Sequence, residues 1–284
     1  MKQPRYRTCY VTGGSSGIGL AVARRLVAGG ADVHIFGRDP DRLSVATAEL
    51  AAVRPVPERT VQGHVLDVTD GAAVEAVLGE LNRSQGAPDL LVNCAGLARP
   101  RRVTEVTPEQ FEFVLRTNLH GTFRVIKAVL PAMLEAGRGH LVNTSSVAGF
   151  VGVYGLTDYC ASKFGLVGLS QALRSELRPH GIRVSVLCPP DTDTPGFAQE
   201  NVTKPRETRA ISGGAGLMEA DGVARELMRG LARNRFMIIP GWGGRFTWWM
   251  QRLAPGVVQW VMDRQIRATQ VSGVAREGGG LGHP

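Results

Sequence analysis

Tyr159 and Lys163 stand four residues apart in Thr157-Asp158-Tyr159-Cys160-Ala161-Ser162-Lys163, a stretch that reads as helix, so both side chains project from one face. A free tyrosine titrates near about 10, too high for efficient proton exchange at neutral pH. A nearby ammonium favours the tyrosinate and is expected to lower that value. Ser146 closes the strand-like run Leu141-Val142-Asn143-Thr144-Ser145-Ser146, and its hydroxyl can hold a carbonyl oxygen. Asn118, a polar residue inside an apolar helical stretch, could order water beside the lysine. A proton donor, a cation to tune it and a hydroxyl to fix an oxygen are the parts of a general-acid site for a carbonyl.

A second group of residues suits an anionic ligand. Thr12-Gly13-Gly14-Ser15-Ser16-Gly17-Ile18-Gly19 joins the first strand-like run to the first helical one. Gly13 permits a tight turn, Gly17 lets the backbone approach a pyrophosphate, and Gly19 lets the helix pack closely. Ser16 and Ile18 fall in the same turn, where the free N–H groups of a helix start face the phosphates. The spacing is GxxxGxG rather than the commoner GxGxxG. The second strand ends in Phe36-Gly37-Arg38-Asp39, the point that faces the adenosine ribose in a dinucleotide fold. The Arg38 guanidinium can pair with a 2′-phosphate, and Ser15 could add a hydroxyl, so NADPH is the expected cofactor. The alternative is a solvated Arg38, with Asp39 taking the ribose of NADH.

These residues need elements to hold them. Apolar, β-rich runs near 7–12, 32–37, 60–66, 89–93, 139–144, 182–188 and 236–240 alternate with amphipathic stretches near 17–29, 40–52, 70–83, 108–137, 157–179 and 219–233. Regular alternation predicts an α/β fold: a single doubly wound domain, with a parallel sheet of about seven strands and helices on both faces. Residues 1–240 are expected to form the dinucleotide-binding domain, including a substrate segment at 189–216 rich in Pro, Asp, Thr and Gly. Residues 241–284 read as a short helical extension holding all four tryptophans, with a loose tail from Arg276 to Pro284.

Of 284 residues, 43% are hydrophobic and 20% charged, which fits a folded globular chain rather than a disordered one. No apolar run is long enough to span a bilayer, and no apolar stretch follows Met1 as a secretory signal would require. Work on the cytosolic side is therefore expected. Cys9, Cys94, Cys160 and Cys188 form no CxxC pair or Cys/His cluster, which predicts reduced thiols and no metal site. The formal net charge of +8 suits anionic cofactors or lipid headgroups, while no nucleic-acid motif accompanies it.

Taken in order, these motifs resemble the short-chain dehydrogenase/reductase family. The glycine loop is similar to its TGxxxGxG, and Asn93-Cys94-Ala95-Gly96 to its NNAG, with Cys94 in place of the second Asn. Asn118, Ser146 and Tyr159-Cys160-Ala161-Ser162-Lys163 fit its Asn, Ser and YxxxK set. The resemblance covers roughly residues 7–240 and implies a reductase. Hydride passes from a nicotinamide to a carbonyl carbon, Ser146 polarises the oxygen and Tyr159 protonates it. Lys163 also holds the nicotinamide ribose, and Asn118 supports a water relay. It further implies cofactor contacts from Asp67 at the adenine ring, from Asn93, Ala95 and Gly96, and from Pro189, Thr192 and Thr194. Members of the family assemble as dimers or tetramers, so a homo-oligomer is expected.

The run Cys188-Pro189-Pro190-Asp191-Thr192-Asp193-Thr194-Pro195-Gly196-Phe197 departs from the common Pro-Gly pattern at Pro190. With Glu200-Asn201, Thr203-Lys204-Pro205 and Glu207-Thr208-Arg209, it is similar to the 3-ketodihydrosphingosine reductases. That resemblance implies reduction of 3-dehydrosphinganine, a long-chain 2-amino ketone, in sphingolipid synthesis. Asp191 and Asp193 could attract its ammonium, although Asp and Thr before Pro also make turns and caps. Another hydrophobic ketone, such as a 3-ketoacyl thioester or a steroid, and an inactive NADP(H)-sensing relative are the alternatives. Trp242, Trp248, Trp249 and Trp260, with Arg245, Arg252, Arg264 and Arg267, suit an anionic membrane surface; a lid or wall for an acyl chain and a dimer contact or ordinary packing are the other readings.

Overall fold

The computed structural model describes residues 6–55, 58–212 and 216–277. Seven parallel strands form the main sheet: β1 (Thr8–Thr12), β2 (Asp32–Gly37), β3 (Val61–Val65), β4 (Leu90–Asn93), β5 (Gly139–Thr144), β6 (Ile182–Leu187) and β9 (Met237–Ile238). Their order is β3-β2-β1-β4-β5-β6-β9. The β4 and β5 residues are buried throughout, as central parallel strands must be, whereas Gln62, Gly63 and Val65 of the edge strand β3 are exposed.

Successive side chains of a strand point to opposite faces, and two cores result. Val11, Val33 and Ile35 face α1 (Gly17–Ala28), α2 (Pro40–Ala52) and α9 (Ala220–Ala232), which contribute Val22, Leu26, Leu43, Leu50, Val223 and Leu227. Tyr10, Phe36, Leu91 and Leu141 face α3 (Gly71–Gln85), α5 (Gly121–Ala136) and α6 (Thr157–Leu177), which contribute Leu78, Val125, Ile126, Met133 and Leu173. Neighbours diverge on either side of β1, so the loops after β1 and β4 open a crevice at the carboxyl ends of the strands.

Three regions depart from the sequence expectation. The stretch expected as one helix over 108–137 is α4 (Pro108–Leu115), a five-residue π segment (Arg116–His120) and α5. Residues 189–216 hold α7 (Pro195–Thr203), α8 (Arg206–Ser212) and β7 (Thr192–Asp193), which pairs with β8 (Met218–Glu219) apart from the main sheet. The extension is α10 (Trp242–Leu253) and α11 (Pro255–Glu277), broken at Pro255, and α11 is 23 residues long rather than short. Of the expected loose tail, Arg276 and Glu277 continue α11, and residues 278–284 lie outside the described residues. Among the described residues, no helix is long and apolar enough to cross a membrane. All four cysteines are free thiols, three buried and Cys94 half-buried.

Candidate active site

Ser146 leaves the tip of β5 and caps a short 3-10 turn, accepting from Ala148 N at 3.1 Å. Tyr159 and Lys163 lie on the first turns of α6, so strand tip and helix bring the three side chains to one corner. A hydrogen bond joins the Ser146 and Tyr159 side chains. The Lys163 Nζ sits 5.4 Å from the centroid of the Tyr159 ring and donates to Thr144 O at 2.8 Å. Burial lowers the Lys163 ammonium to about 8, which leaves it mostly charged at neutral pH.

The Tyr159 hydroxyl does not follow the sequence expectation. Burial pushes its pKa above the ordinary tyrosine value, the Glu200 and Asp191 carboxylates push the same way, and the Ser146 bond opposes them only in part. The chain's own groups therefore hold Tyr159 as the neutral acid.

Asn118 lies in the π segment, where one extra residue per turn swings its fully buried side chain toward the loop after β4. It accepts from Leu97 N at 2.9 Å and donates to Leu97 O at 2.9 Å and to Ser162 Oγ at 3.0 Å. Both N–H bonds of the amide are thereby engaged. The side chain ties the β4 loop to α6, so a water beside the lysine would be held by an Asn118 oxygen rather than by its N–H groups. The main-chain carbonyl of Asn118 accepts from Thr122 Oγ1 at 2.8 Å.

The glycine loop fits a dinucleotide closely. Gly13 has φ +65° and Gly17 φ +53°, the left-handed region that favours glycine. A Cβ on Gly13 would stand 2.8 Å from Ala95 N, and one on Gly17 2.9 Å from Thr194 Cγ2. Gly19 packs against the Gly13 carbonyl at the start of α1. Ser16 is the N-cap of α1 with no side-chain cap bond, so the first-turn N–H groups stay open to a phosphate. Ile18 lines the cavity described below.

At the tip of β2, a Cβ on Gly37 would lie 3.0 Å from Ser15 Oγ, which brings that hydroxyl beside Arg38. The Arg38 side chain is 58% exposed and 4.0 Å from Asp67 Oδ2. Asp67 also accepts from Thr69 N at 2.8 Å. Asp39, the alternative ribose partner, is occupied: one oxygen caps α2 at Asp41 N and Arg42 N, and the other pairs with Arg42. Gly96 stands against Asn118 and Lys163, while Ala95 N donates to Thr12 Oγ1 at 3.3 Å. Asn93 is buried and donates to Asn143 Oδ1 at 3.0 Å, while its own buried Oδ1 has no partner among the described residues.

Ser146 and Tyr159 open into a cavity of about 670 Å³. Pro189, Thr192 and Thr194 line it after β6, Phe197 comes from α7, and Phe246, Met250, Val257 and Met262 come from α10 and α11. Thr194 is also the N-cap of α7, accepting from Phe197 N at 3.1 Å, so one residue touches both the glycine loop and the cavity wall. Of the acidic residues read from the sequence as ammonium partners, Asp191 lines the cavity, whereas Asp193 is exposed and outside its lining. Glu200, on the inward side of α7, lines the cavity and was not among the candidates. Its signal in the sequence was the spacing Phe197, Glu200 and Lys204, one helical face. Among the described residues, no cluster of His, Cys, Asp and Glu could hold a metal.

Residues 7–205 match the short chain dehydrogenase family. A 3-dehydrosphinganine reductase of Danio rerio is 38% identical over 227 residues, covering 80% of this chain and 68% of that protein. One from Arabidopsis thaliana is 40% identical over 237 residues, covering 82% and 70%. Among solved structures, a short-chain dehydrogenase from Sphingobium yanoikuyae in complex with NADPH is 29% identical with a TM-score of 0.74, covering 90% of this chain and 95% of that one. The chain belongs to the short-chain dehydrogenase family and is an oxidoreductase built for a nicotinamide cofactor.

Proposed function

We propose that this protein reduces the ketone of 3-dehydrosphinganine to the alcohol, with NADPH as reductant. The observation that carries this reading is the cavity: a polar corner at Ser146 and Tyr159 continues into a wall of apolar residues from α10 and α11. A polar head with a long alkyl chain matches that division, and the volume is ample for a lipid-sized ligand. The two reductases of that substrate at 38% and 40% identity support it. The bound nicotinamide supplies the hydride for the carbonyl carbon. Ser146 holds the carbonyl oxygen, and Tyr159 donates its hydroxyl proton to that oxygen as the alcohol forms. The Lys163 ammonium, 5.4 Å from the ring, opposes the negative charge left on the tyrosine oxygen. Asn118 keeps α6 and the β4 loop in register.

The glycine loop, with Ser16 and Ile18, holds the pyrophosphate, while Lys163 and Thr194 hold the nicotinamide end. Arg38 and Ser15 receive the 2′-phosphate, because Asp39 is taken up by the α2 cap. The deciding experiment follows NADPH oxidation with 3-dehydrosphinganine and identifies the product by mass. Sphinganine is expected; no turnover of this ketone, beside turnover of a ketoacyl thioester, overturns the substrate.

A second reading concerns where the substrate is met. Trp242, Phe246, Trp249, Leu253 and Trp260 are exposed on the same two helices that wall the cavity. Arg264 lies 5.7 Å from the Trp260 ring. Such a crest suits the headgroup layer of an anionic membrane, where the lipid substrate resides. Co-sedimentation with anionic vesicles, weakened by salt, tests it.

A further inference from the structure

The proposed substrate carries its ammonium on the carbon next to the ketone. The group that binds this ammonium must therefore stand close to the Ser146 and Tyr159 corner. Four carboxylates follow β6 in residues 189–212; Glu207 pairs with Arg102 at 3.2 Å outside the cavity lining, and the structure separates the other three. Asp193 is exposed, outside the cavity lining, and its backbone pairs with Glu219. Asp191 lines the cavity, but the Lys204 Nζ lies 3.5 Å from its Oδ2. Lys204 is itself buried, with its ammonium 4.3 Å from the Phe197 ring centroid, so this pair is fixed and internally neutral.

Glu200 differs from both. It lines the cavity, and among the described residues no Lys or Arg stands within ion-pair distance of its carboxylate. It lines the same cavity as Ser146 and Tyr159, and its charge is felt at Tyr159 and at Lys163. Burial and the neighbouring Asp191 raise its carboxyl to about 7, with Lys204 and Lys163 pulling the other way. A half-buried carboxylate without a close partner gains from any cation that arrives with the substrate.

We propose that Glu200 selects an amino ketone over a plain ketone, by pairing with the ammonium one bond away from the carbonyl carbon. This rests on the amino-ketone reading of the site. The Lys204–Asp191 pair has a positioning role: it holds the end of α7 inward, and it partly offsets the competing negative charge of Asp191.

The test compares kcat/KM for 3-dehydrosphinganine with that for the same long-chain ketone lacking the amine, in wild type, Glu200→Gln and Glu200→Asp, with NADPH. The amino/des-amino ratio should fall roughly 10- to 100-fold in Glu200→Gln, chiefly through KM, and recover in part in Glu200→Asp. A ratio within about twofold of wild type in a folded Glu200→Gln, judged by melting temperature and NADPH binding, overturns the proposal. Should that variant fail to fold, the wild type decides. With Asp191, Lys204, Lys163 and Tyr159 facing it, Glu200 takes up its proton as pH falls through about 7, and the ratio falls with it. A ratio flat between about pH 6.5 and 5, where the substrate amine stays charged, overturns the assignment. A wild type that reduces neither ketone overturns the substrate reading instead.

Discussion

Tyr159 is held as an acid by the chain around it, because burial and two carboxylates oppose loss of its proton. That state is the useful one for reduction, in which the carbonyl oxygen must receive a proton. Tyr159→Phe is expected to lower kcat by about 10²–10⁴-fold. NADPH affinity, read by fluorescence titration, should stay near wild type; near-normal turnover would refute the assignment. Among the described residues, Arg38 makes no ion pair closer than the 4.0 Å approach to Asp67, and its guanidinium is open to meet a phosphate. Arg38→Ala should weaken NADPH by roughly 10- to 150-fold and NADH far less. Equal losses for the two cofactors would contradict a 2′-phosphate contact. Ser146, Tyr159 and Lys163, which the fold brings to one corner, were legible in the sequence through type and spacing together with the family resemblance. Glu200 was not, because an acidic residue on a short helix looks like a solvated one until the fold turns it inward.

At the scale of elements, the seven main strands and most helices were readable from the alternation of apolar-rich and amphipathic runs; TCYVT, LLVN and GHLVNT carry no Asp, Glu, Lys or Arg, as central parallel strands buried on both faces require. The π segment was not, because an extra residue in a turn leaves the apolar pattern of 108–137 nearly intact. The two-residue strands β7 and β8 are too short to carry any period. Neighbouring tryptophans show the same limit. Trp248 packs on Val186, Cys188 and Ile239, with Arg252 stacked 4.6 Å from its ring, whereas Trp249 is 55% exposed. Sequence reading treated the two alike. Trp249→Ser with Trp260→Ser should therefore reduce binding to anionic vesicles without a large change in melting temperature. Trp248→Ala should instead lower the melting temperature, since loss of a packed aromatic costs about 3 kcal/mol or more when fully buried. Vesicle binding that survives the loss of Trp249 and Trp260 would remove the membrane reading from this crest.

Across the whole molecule, two buried histidines tie stability to pH. His140 is wedged between Tyr6 Oη and Ser185 Oγ, each at 2.8 Å. Ser185 gives its proton to Arg235 O, so it accepts from His140 Nε2, and Nδ1 accepts from Tyr6. Burial lowers His140 to about 3 and His34 to about 4, from an ordinary 6.5. Both are neutral in the folded state, while the unfolded chain takes up protons below about 6.5. Their contribution is thus complete above about pH 6.5 and is lost as pH falls toward the folded values, a change on the order of a few kcal/mol. The urea midpoint should fall between about pH 7 and 4.5; a flat midpoint would refute this. The same whole-molecule view separates two sets of residues. Ser146, Tyr159 and Lys163 hang from β5 and α6, inside the sheet-and-helix frame, while the cavity wall comes from α7, α8, α10 and α11, beyond β6 and β9. Inherited changes in those outer helices can alter which molecule enters without altering which bond is made. A lineage built on this plan can thus change its diet in small steps, each intermediate remaining a working reductase.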